Sequence, residues 1–460
     1  MSLIKSISGF RGTIGGNPGD NLTPIDAVKF AAAYGTWLKT QTNQSEYKVI
    51  IGRDARISGQ MISQLVCSTL QGLGINVIDL GLSTTPTVEV MVTHLKADGG
   101  IILTASHNPK EWNALKLLNA KGEFVSAEDG AQILEYVDKD SYTFAEVDNL
   151  GTYETFDDAI DLHIEKILAL PLVNANAIQN MNFKVAIDAV NSTGGIAIPK
   201  LLQRLGVIHY GIYCEPNGHF PHNPEPLKEH LGDICKKVVD EQADFGIVVD
   251  PDVDRLALID EKGEMFGEEY TLVAIADYIL SKTPSATVSN LSSSRALRDV
   301  TEKYGQTYSP SAVGEVNVVT EMKRLEAKIG GEGNGGIIYP ELHYGRDSLV
   351  GIALFLTYLA EKNCSVSELR ASYPAYFMAK KKIELTPDID VDNLLIKIQE
   401  VYKNEQINTV DGVKIDFPTE WVHLRKSNTE PIIRIYTEST SEEKANELAD
   451  KMIESIKSIL

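Results

Sequence analysis

The chain has 460 residues, of which 43% are hydrophobic, 23% charged and 7% aromatic; this is the composition of a soluble globular protein, and at about 100–200 residues per domain it predicts two to four domains. Its 43 Lys and Arg against 64 Asp and Glu leave a formal net charge of −21, which argues against a surface built to neutralise nucleic-acid backbones or anionic lipids. Neither nucleic acid nor membrane is expected as a partner, whereas a small phosphorylated ligand stays compatible if a few Arg and Lys converge locally.

The start, Met1-Ser2-Leu3-Ile4-Lys5, has no signal-peptide core, and the apolar stretch 348–360 is bounded by Asp347 and Glu361, too short to span a bilayer. Cys67, Cys214, Cys235 and Cys364 are scattered without C-x-x-C spacing and read as reduced thiols, mostly buried, in a cytoplasmic protein. Along the chain one grammar recurs: a short apolar run, a loop of Gly, Asp, Asn or Ser, then a helical pattern. It is seen at Val49-Ile50-Ile51-Gly52-Arg53-Asp54, Ile101-Ile102-Leu103-Thr104-Ala105-Ser106, Val185-Ala186-Ile187-Asp188 and Ile247-Val248-Val249-Asp250. Runs apolar on both faces fit buried strands of a mixed or mostly parallel sheet, and polar groups just after them stand where open α/β sheets place ligands. The fold class is therefore α/β, with three similar units at about 1–150, 151–260 and 261–370. From 371 to 460 the order changes to an α+β domain: a strand at 379–385, a helix at 391–402, strands at 413–417, 421–424 and 432–436, and a last helix. That helix has Ser441 as cap and an apolar stripe of Ala445, Leu448, Ala449, Met452, Ile453 and Ile456.

Four loops can carry chemistry. Thr104-Ala105-Ser106-His107-Asn108-Pro109 presents Ser106 at a strand's C-terminal end, although alone it also reads as a polar turn; as a nucleophile Ser106 needs activation or prior phosphorylation. Asp250-Pro251-Asp252-Val253-Asp254-Arg255 sets three carboxylates at alternate positions of an extended segment, so that they point the same way. Two carboxylates about 4 Å apart repel by about 4 kcal/mol at an effective dielectric near 20, so convergence calls for a cation, and hard oxygen ligands suit Mg²⁺; a solvated acidic turn is the plain alternative. An EF-hand is rejected because Arg255 stands where Gly is needed and Leu256-Ala257-Leu258-Ile259 is strand-like. In Gly330-Gly331-Glu332-Gly333-Asn334-Gly335-Gly336, five glycines let the backbone approach a ligand, leaving Glu332 and Asn334 to read vicinal hydroxyls, or else form a flexible turn. Arg425-Lys426-Ser427-Asn428-Thr429-Glu430-Pro431, followed by Ile432-Ile433-Arg434, offers guanidinium, hydroxyl and amide groups for a phosphate, or is a charged surface hairpin.

In their order and spacing these loops resemble the α-D-phosphohexomutase superfamily, which includes phosphoglucomutases, phosphomannomutases and phosphoglucosamine mutases, over nearly the whole chain. The resemblance implies four domains arranged around a central cleft that closes on substrate. It implies Ser106 as the phosphorylated residue; Asp250, Asp252 and Asp254, with the phosphoserine oxygen of Ser106, as Mg²⁺ ligands; Glu332 and Asn334 as sugar readers; and Arg425, Ser427, Asn428, Thr429 and Arg434 as the phosphate clamp. Arg255 is implied beside the transferred phosphoryl group, and Arg11, in Ser8-Gly9-Phe10-Arg11-Gly12-Thr13, and Lys116 at the phosphoserine. The sugar loop departs from the commoner bacterial form, with Asn334 in place of Ser and Gly336 in place of His, and Glu315 stands where another His often occurs. Its Gly-Glu-Gly-Asn-Gly-Gly form is similar to archaeal-type members, many of them phosphoglucosamine mutases.

The implied reaction is transfer between the 6- and 1-positions of a hexose phosphate through a hexose 1,6-bisphosphate, by an isomerase-class phosphomutase acting on a small sugar phosphate as a monomer or homodimer. Phosphoglucosamine mutase is the expected activity, with phosphoglucomutase/phosphomannomutase as the alternative and a non-catalytic sugar-phosphate-binding protein as the reading from another class. A phosphatase using the same Ser106 is the nearest enzymatic rival. Proton transfer falls to Lys116, if burial and neighbouring cations lower its pKa, or to His107.

Overall fold

A computed structural model describes residues 2–6, 9–386, 389–426 and 432–459. The chain divides into two compact units, Met1–Thr271 with Gly335–Ser367, and Leu272–Asn334 with Glu368–Leu460.

The first unit holds two sheets. The larger has seven strands in the order Ile4–Ser6, Gly9–Thr13, Trp112–Leu118, Gly99–Leu103, Tyr47–Arg53, Ile75–Leu82 and Tyr153–Thr155. Tyr47–Arg53 runs parallel to both Ile75–Leu82 and Gly99–Leu103, and Trp112–Leu118 returns antiparallel beside the latter. All five residues of Gly99–Leu103 are buried, which is why this segment is apolar on both faces rather than alternating. The helix Pro24–Gln41 covers one face; it starts at a capping box in which Thr23 and Asp26 satisfy each other's backbone N–H groups, and its Phe30 stacks on Phe10 at 3.9 Å between ring centroids.

The smaller sheet has the order Leu256–Ile259, Phe245–Val249, Lys184–Asp188, Ile208–Ile212. Its strands are parallel except Leu256–Ile259, which forms a hairpin with Phe245–Val249 in the register Val249↔Leu256. The acidic loop is therefore the turn of that hairpin, one residue past a strand buried at every position. The helix Ser348–Lys362, buried along most of its length, sets Phe355 edge-on to Phe245 and Phe266 at 5.7 and 5.5 Å.

In the second unit, Tyr308–Ser311 and Ile329–Glu332 flank Thr287–Asn290 in parallel. The C-terminal region is a five-stranded antiparallel sheet in the order Phe377–Glu384, Ile432–Ser439, Trp421–Lys426, Val413–Asp416, Gln406–Asn408. Against it lies the helix Glu442–Ile459, whose Ala445, Leu448, Ala449, Met452 and Ile456 are buried as the stripe predicts, with Ile453 half-buried.

Two expectations need correction. Only Cys67 of the four thiols is buried, the others being half-buried. The C-terminal sheet has an additional edge strand, Gln406–Asn408, whose three residues are too few to show a two-residue alternation. Among the described residues no helix is long and apolar enough to cross a membrane.

Candidate active site

Ser106 sits at the top of the large sheet in the left-handed region, φ +51°, a conformation that costs a non-glycine residue on the order of 1 kcal/mol. The neighbouring strand end holds it there. Asp54 N donates to Leu103 O at 3.2 Å, Thr104 Oγ1 donates to Asp54 Oδ2 at 2.6 Å and accepts from Ser106 N at 2.9 Å. The fully buried Arg56 pairs with Asp54 at 3.0 Å and gives its remaining N–H groups to the carbonyls of Ser106, Asn108 (2.7 Å), Pro109 (2.6 Å) and Trp112 (2.9 Å). One guanidinium thus ties down the whole serine turn.

The acidic loop meets Ser106 directly: Ser106 Oγ donates to Asp250 Oδ2 at 2.8 Å. Asp250, Asp252 and Asp254 are all buried, with one carboxylate oxygen of each within 4.8 Å of the others. Val253 between them has φ +65°, an outlier for a β-branched residue, and Ser192 and Thr193 pin the turn by donating to Pro251 O at 2.7 and 3.0 Å. Among the described residues, Asp252 Oδ1 and Asp254 Oδ1 are buried without a hydrogen-bond donor. Burial first, then the charges of Asp254 and Asp252, push the Asp250 carboxyl well above the usual carboxylate range. Converging buried carboxylates with orphaned hard oxygens are what a divalent cation site looks like before its cation is counted, so the three residues fit a metal.

Cations ring this trio. Lys116 Nζ lies 2.7 Å from Asp252 Oδ2 and 3.5 Å from Asp254 Oδ2; Thr85 Oγ1 also donates to Asp252 Oδ2, at 2.6 Å. Burial alone would depress the Lys116 ammonium, but Asp252 and Asp254 outweigh it and hold its pKa above the ordinary value, the opposite of the shift a basic lysine requires. Burial opposes ionisation of Asp252 too, and Lys116 and Thr85 overcome it, holding that carboxyl below its usual range. Arg11 lies on Gly9–Thr13, opposite Ala114, while Gly9 is opposite Lys116; this register puts Arg11 and Lys116 on the same sheet face. His107 Nδ1 is 3.4 Å from Ser106 Oγ, and burial, then Arg255, pushes its pKa down to about 3, so the ring is neutral at physiological pH. Arg255 Nη1 donates to Glu225 Oε1 at 3.3 Å.

Sequence reasoning missed Arg56, Thr85 and Arg346, whose Nη2 donates to Asp254 Oδ2 at 2.7 Å. Arg346 is carried by a buried cluster. Asp347 Oδ1 caps the helix Ser348–Lys362 by accepting from Leu349 and Val350 N, and its Oδ2 meets His163 Nε2 at 3.0 Å and His343 Nε2 at 3.3 Å. His343 Nδ1 lies 3.2 Å from Glu89 Oε2. Burial works against a charged His343, but Asp347 and Glu89 raise its pKa to about 10, far above the ~6.5 of an unfolded histidine. A raised pKa stabilises the fold fully below the unfolded value, and that contribution is lost as pH climbs through the folded one. The unfolding free energy is therefore expected to fall by on the order of 2–4 kcal/mol between pH 7 and pH 10 through this group. Denaturant melts across that window check it, and His343→Gln should flatten the slope.

In the second unit, buried Glu332 accepts through Oε1 from Asn290 Nδ2 at 2.9 Å and Gly314 N at 3.1 Å, and Gly333 N donates to Ser293 Oγ at 3.0 Å. Asn334 follows, half-buried. Arg425 and Arg434 are direct cross-strand partners; like charges opposite one another are destabilising unless an anion lies between them, and Arg425 Nε takes Asp411 Oδ2 at 2.8 Å. Ser427, Asn428 and Thr429 lie outside the described residues.

The description "Phosphoglucomutase/phosphomannomutase, alpha/beta/alpha domain I" matches residues 4–144; domains II and III of the same family match 161–263 and 267–376, and its C-terminal domain matches 378–455. A phosphoglucomutase/phosphomannomutase of Thermococcus kodakarensis is 35% identical over 95% of this chain and 96% of its own length. The chain belongs to the phosphoglucomutase/phosphomannomutase family. A phosphoglucosamine/phosphogalactosamine mutase of Sulfurisphaera tokodaii is 32% identical over 98% of both chains. A phosphoglucomutase/phosphomannomutase family protein of Burkholderia thailandensis shares the fold, with a TM-score of 0.86 at 23% identity over 99% of this chain and 97% of the other. The four-domain family architecture, three α/β/α domains followed by the C-terminal domain, is thus matched across residues 4–455, and the chain is an enzyme of the phosphomutase kind, an intramolecular phosphotransferase.

Proposed function

We propose that this phosphomutase interconverts glucosamine 6-phosphate and glucosamine 1-phosphate through a phosphoserine at Ser106 and a hexose 1,6-bisphosphate. The observation that carries the reading is the Ser106 hydroxyl, held 2.8 Å from Asp250 in a left-handed turn beside three converging carboxylates. The phosphoryl group on Ser106 Oγ passes to the free sugar hydroxyl: the Oγ–P bond breaks, a sugar O–P bond forms, the hydroxyl gives up its proton and Ser106 Oγ takes one. The bisphosphate turns round, and Ser106 Oγ then attacks its other phosphate, restoring the phosphoserine and releasing the isomer. Such transfers depend on positioning and on neutralising charge on the phosphoryl oxygens. Lys116, Arg11 and Arg255 fill that role, with Arg346 fixing Asp254. When bound by Asp250, Asp252, Asp254 and the phosphoserine, Mg²⁺ supplies further positive charge to the transferred oxygens. Glu332 and Asn334 read the sugar hydroxyls, and Arg425, Ser427, Asn428, Thr429 and Arg434 clamp the distal phosphate.

We assign to Lys116 the acid half of the proton exchange, the return of a proton to Ser106 Oγ, because Asp252 and Asp254 hold it as an ammonium. His107 is the second reading, favoured by its place 3.4 Å from Ser106 Oγ and its neutral ring. The amino-sugar preference is supported by the Sulfurisphaera tokodaii relative, and phosphoglucomutase/phosphomannomutase activity by the Thermococcus kodakarensis one. Rates on glucosamine 6-phosphate, glucose 6-phosphate and mannose 6-phosphate decide between them; formation of the 1-phosphate supports a mutase, and free phosphate alone makes the protein a phosphatase. Chelation with EDTA is expected to lower turnover at least ~10²-fold, with Mg²⁺ restoring it; unchanged rates in chelator would remove the metal from the mechanism.

A further inference from the structure

Away from these loops, the second unit contains a polar cavity of about 220 Å³ between the Leu291–Arg298 segment and the strands Gln406–Asn408 and Val413–Asp416. Arg295, Arg298 and Lys414 line it, against a single carboxylate, Asp416. Arg295 is committed to structure. Its guanidinium serves Pro418 O at 3.1 Å, Phe417 O at 3.3 Å, Glu420 O at 2.9 Å and Asp416 at 3.4 Å, and its backbone N–H goes to Glu438 behind it. The other two cations are differently placed. Lys414 is 6% exposed, with its ammonium 4.1 Å from the Trp421 ring centroid and, among the described residues, one hydrogen bond, to Leu291 O at 2.9 Å, although an ammonium has three N–H groups to satisfy. Arg298 is nearer to solvent and makes a loose ion pair, 3.8 Å to Asp416. Asn408, whose Oδ1 accepts from Val410 N, presents an amide to the same space.

Buried N–H donors left with too few acceptors are costly, and a guanidinium and an ammonium converging on one small polar cavity are the donor set that recognises an oxyanion. We propose that this cavity is a binding site for a phosphate group, free or carried on a small metabolite, held by Lys414, Arg298 and Asn408 and separate from the catalytic loops. Its walls connect to the sugar loop, since Ser293, which also lines the cavity, accepts from Gly333 N. Lys414 also lies directly opposite His423 in the sheet that carries Arg425. A phosphate bound there bridges the third and fourth domains of the family and steadies both loops. The inference does not depend on which sugar is the substrate.

Calorimetric titration of the full chain with inorganic phosphate, and separately with glycerol phosphate, tests it. To set aside the clamp, the titrations are made in wild type, in Arg434→Ala and in Arg298→Glu. Binding that persists in Arg434→Ala and weakens about tenfold or more in Arg298→Glu supports the site; tighter binding of glycerol phosphate than of inorganic phosphate identifies a carried group, and the reverse a free ion. Arg298→Glu should keep its circular dichroism spectrum and its turnover in phosphate-free buffer, and Lys414→Met should weaken the same event. Titrations of Arg298→Glu and Lys414→Met indistinguishable from wild type, or phosphate binding that vanishes wholly in Arg434→Ala, overturn the proposal.

Discussion

Ser106→Ala is expected to lower turnover by about 10⁴-fold or more, because on the proposed mechanism the group that accepts and returns the phosphoryl is gone. The fold should be unmoved: Ser106 already occupies a left-handed conformation that alanine tolerates no worse than serine, and the turn is held through its backbone by Arg56 and Thr104. Intact-mass measurement supplies the companion result. Wild type incubated with a hexose 1,6-bisphosphate should carry one added phosphoryl group mapped to Ser106, and the variant none. A variant that retains turnover, or a phosphoryl mapped elsewhere, removes Ser106 from the reaction; binding that survives with no wild-type turnover to lose would instead describe a sugar-phosphate-binding protein.

Arg56→Ala should be the most damaging single change to the fold of the first unit. Arg56 and Asp54 are both fully buried, and removing one member of such a pair leaves the other uncompensated, at a cost of about 3–5 kcal/mol. Four backbone carbonyls of the serine loop lose their donor at the same time, so turnover should fall even in molecules that remain folded. Thermal and denaturant unfolding measure the first effect, and kcat at a temperature well below the new midpoint measures the second. Adding Asp54→Asn to the variant should recover part of the stability and little of the turnover. Equal stabilities of wild type and Arg56→Ala would mean that the guanidinium is not what holds the turn.

The serine and acidic loops were legible because each follows a strand buried on both faces, so a short apolar run announces where a polar side chain emerges. Ser106 after Gly99–Leu103 and Asp250 after Phe245–Val249 are of this kind. Arg56 and Arg346 were not legible for the converse reason. Arg56 grips carbonyls some fifty residues away, and Arg346 reaches Asp254 across ninety-two; such partners are set by strand register and by the return of the chain to its first unit, neither of which leaves a local pattern. Asp54 did have a visible cue, closing the run Val49-Ile50-Ile51 in the same grammar as Ser106 and Asp250. Lys116 was reached through family resemblance alone; its neighbours Leu115 and Leu117 mark a strand, but nothing in them points to a carboxylate partner at Asp252. The pKa of Lys116 could not be anticipated either, since its sign depends on how many carboxylates surround the ammonium.

The return of residues Gly335–Ser367 to the first unit has a consequence for biosynthesis. The Phe245 side of the smaller sheet is closed by Phe355, which leaves the ribosome more than a hundred residues after Phe245 itself. Until then a nascent chain displays an unfinished apolar face, the kind of surface that attracts holdase chaperones or seeds aggregation. Fragments ending ahead of residue 335 are for that reason poor candidates for independent expression.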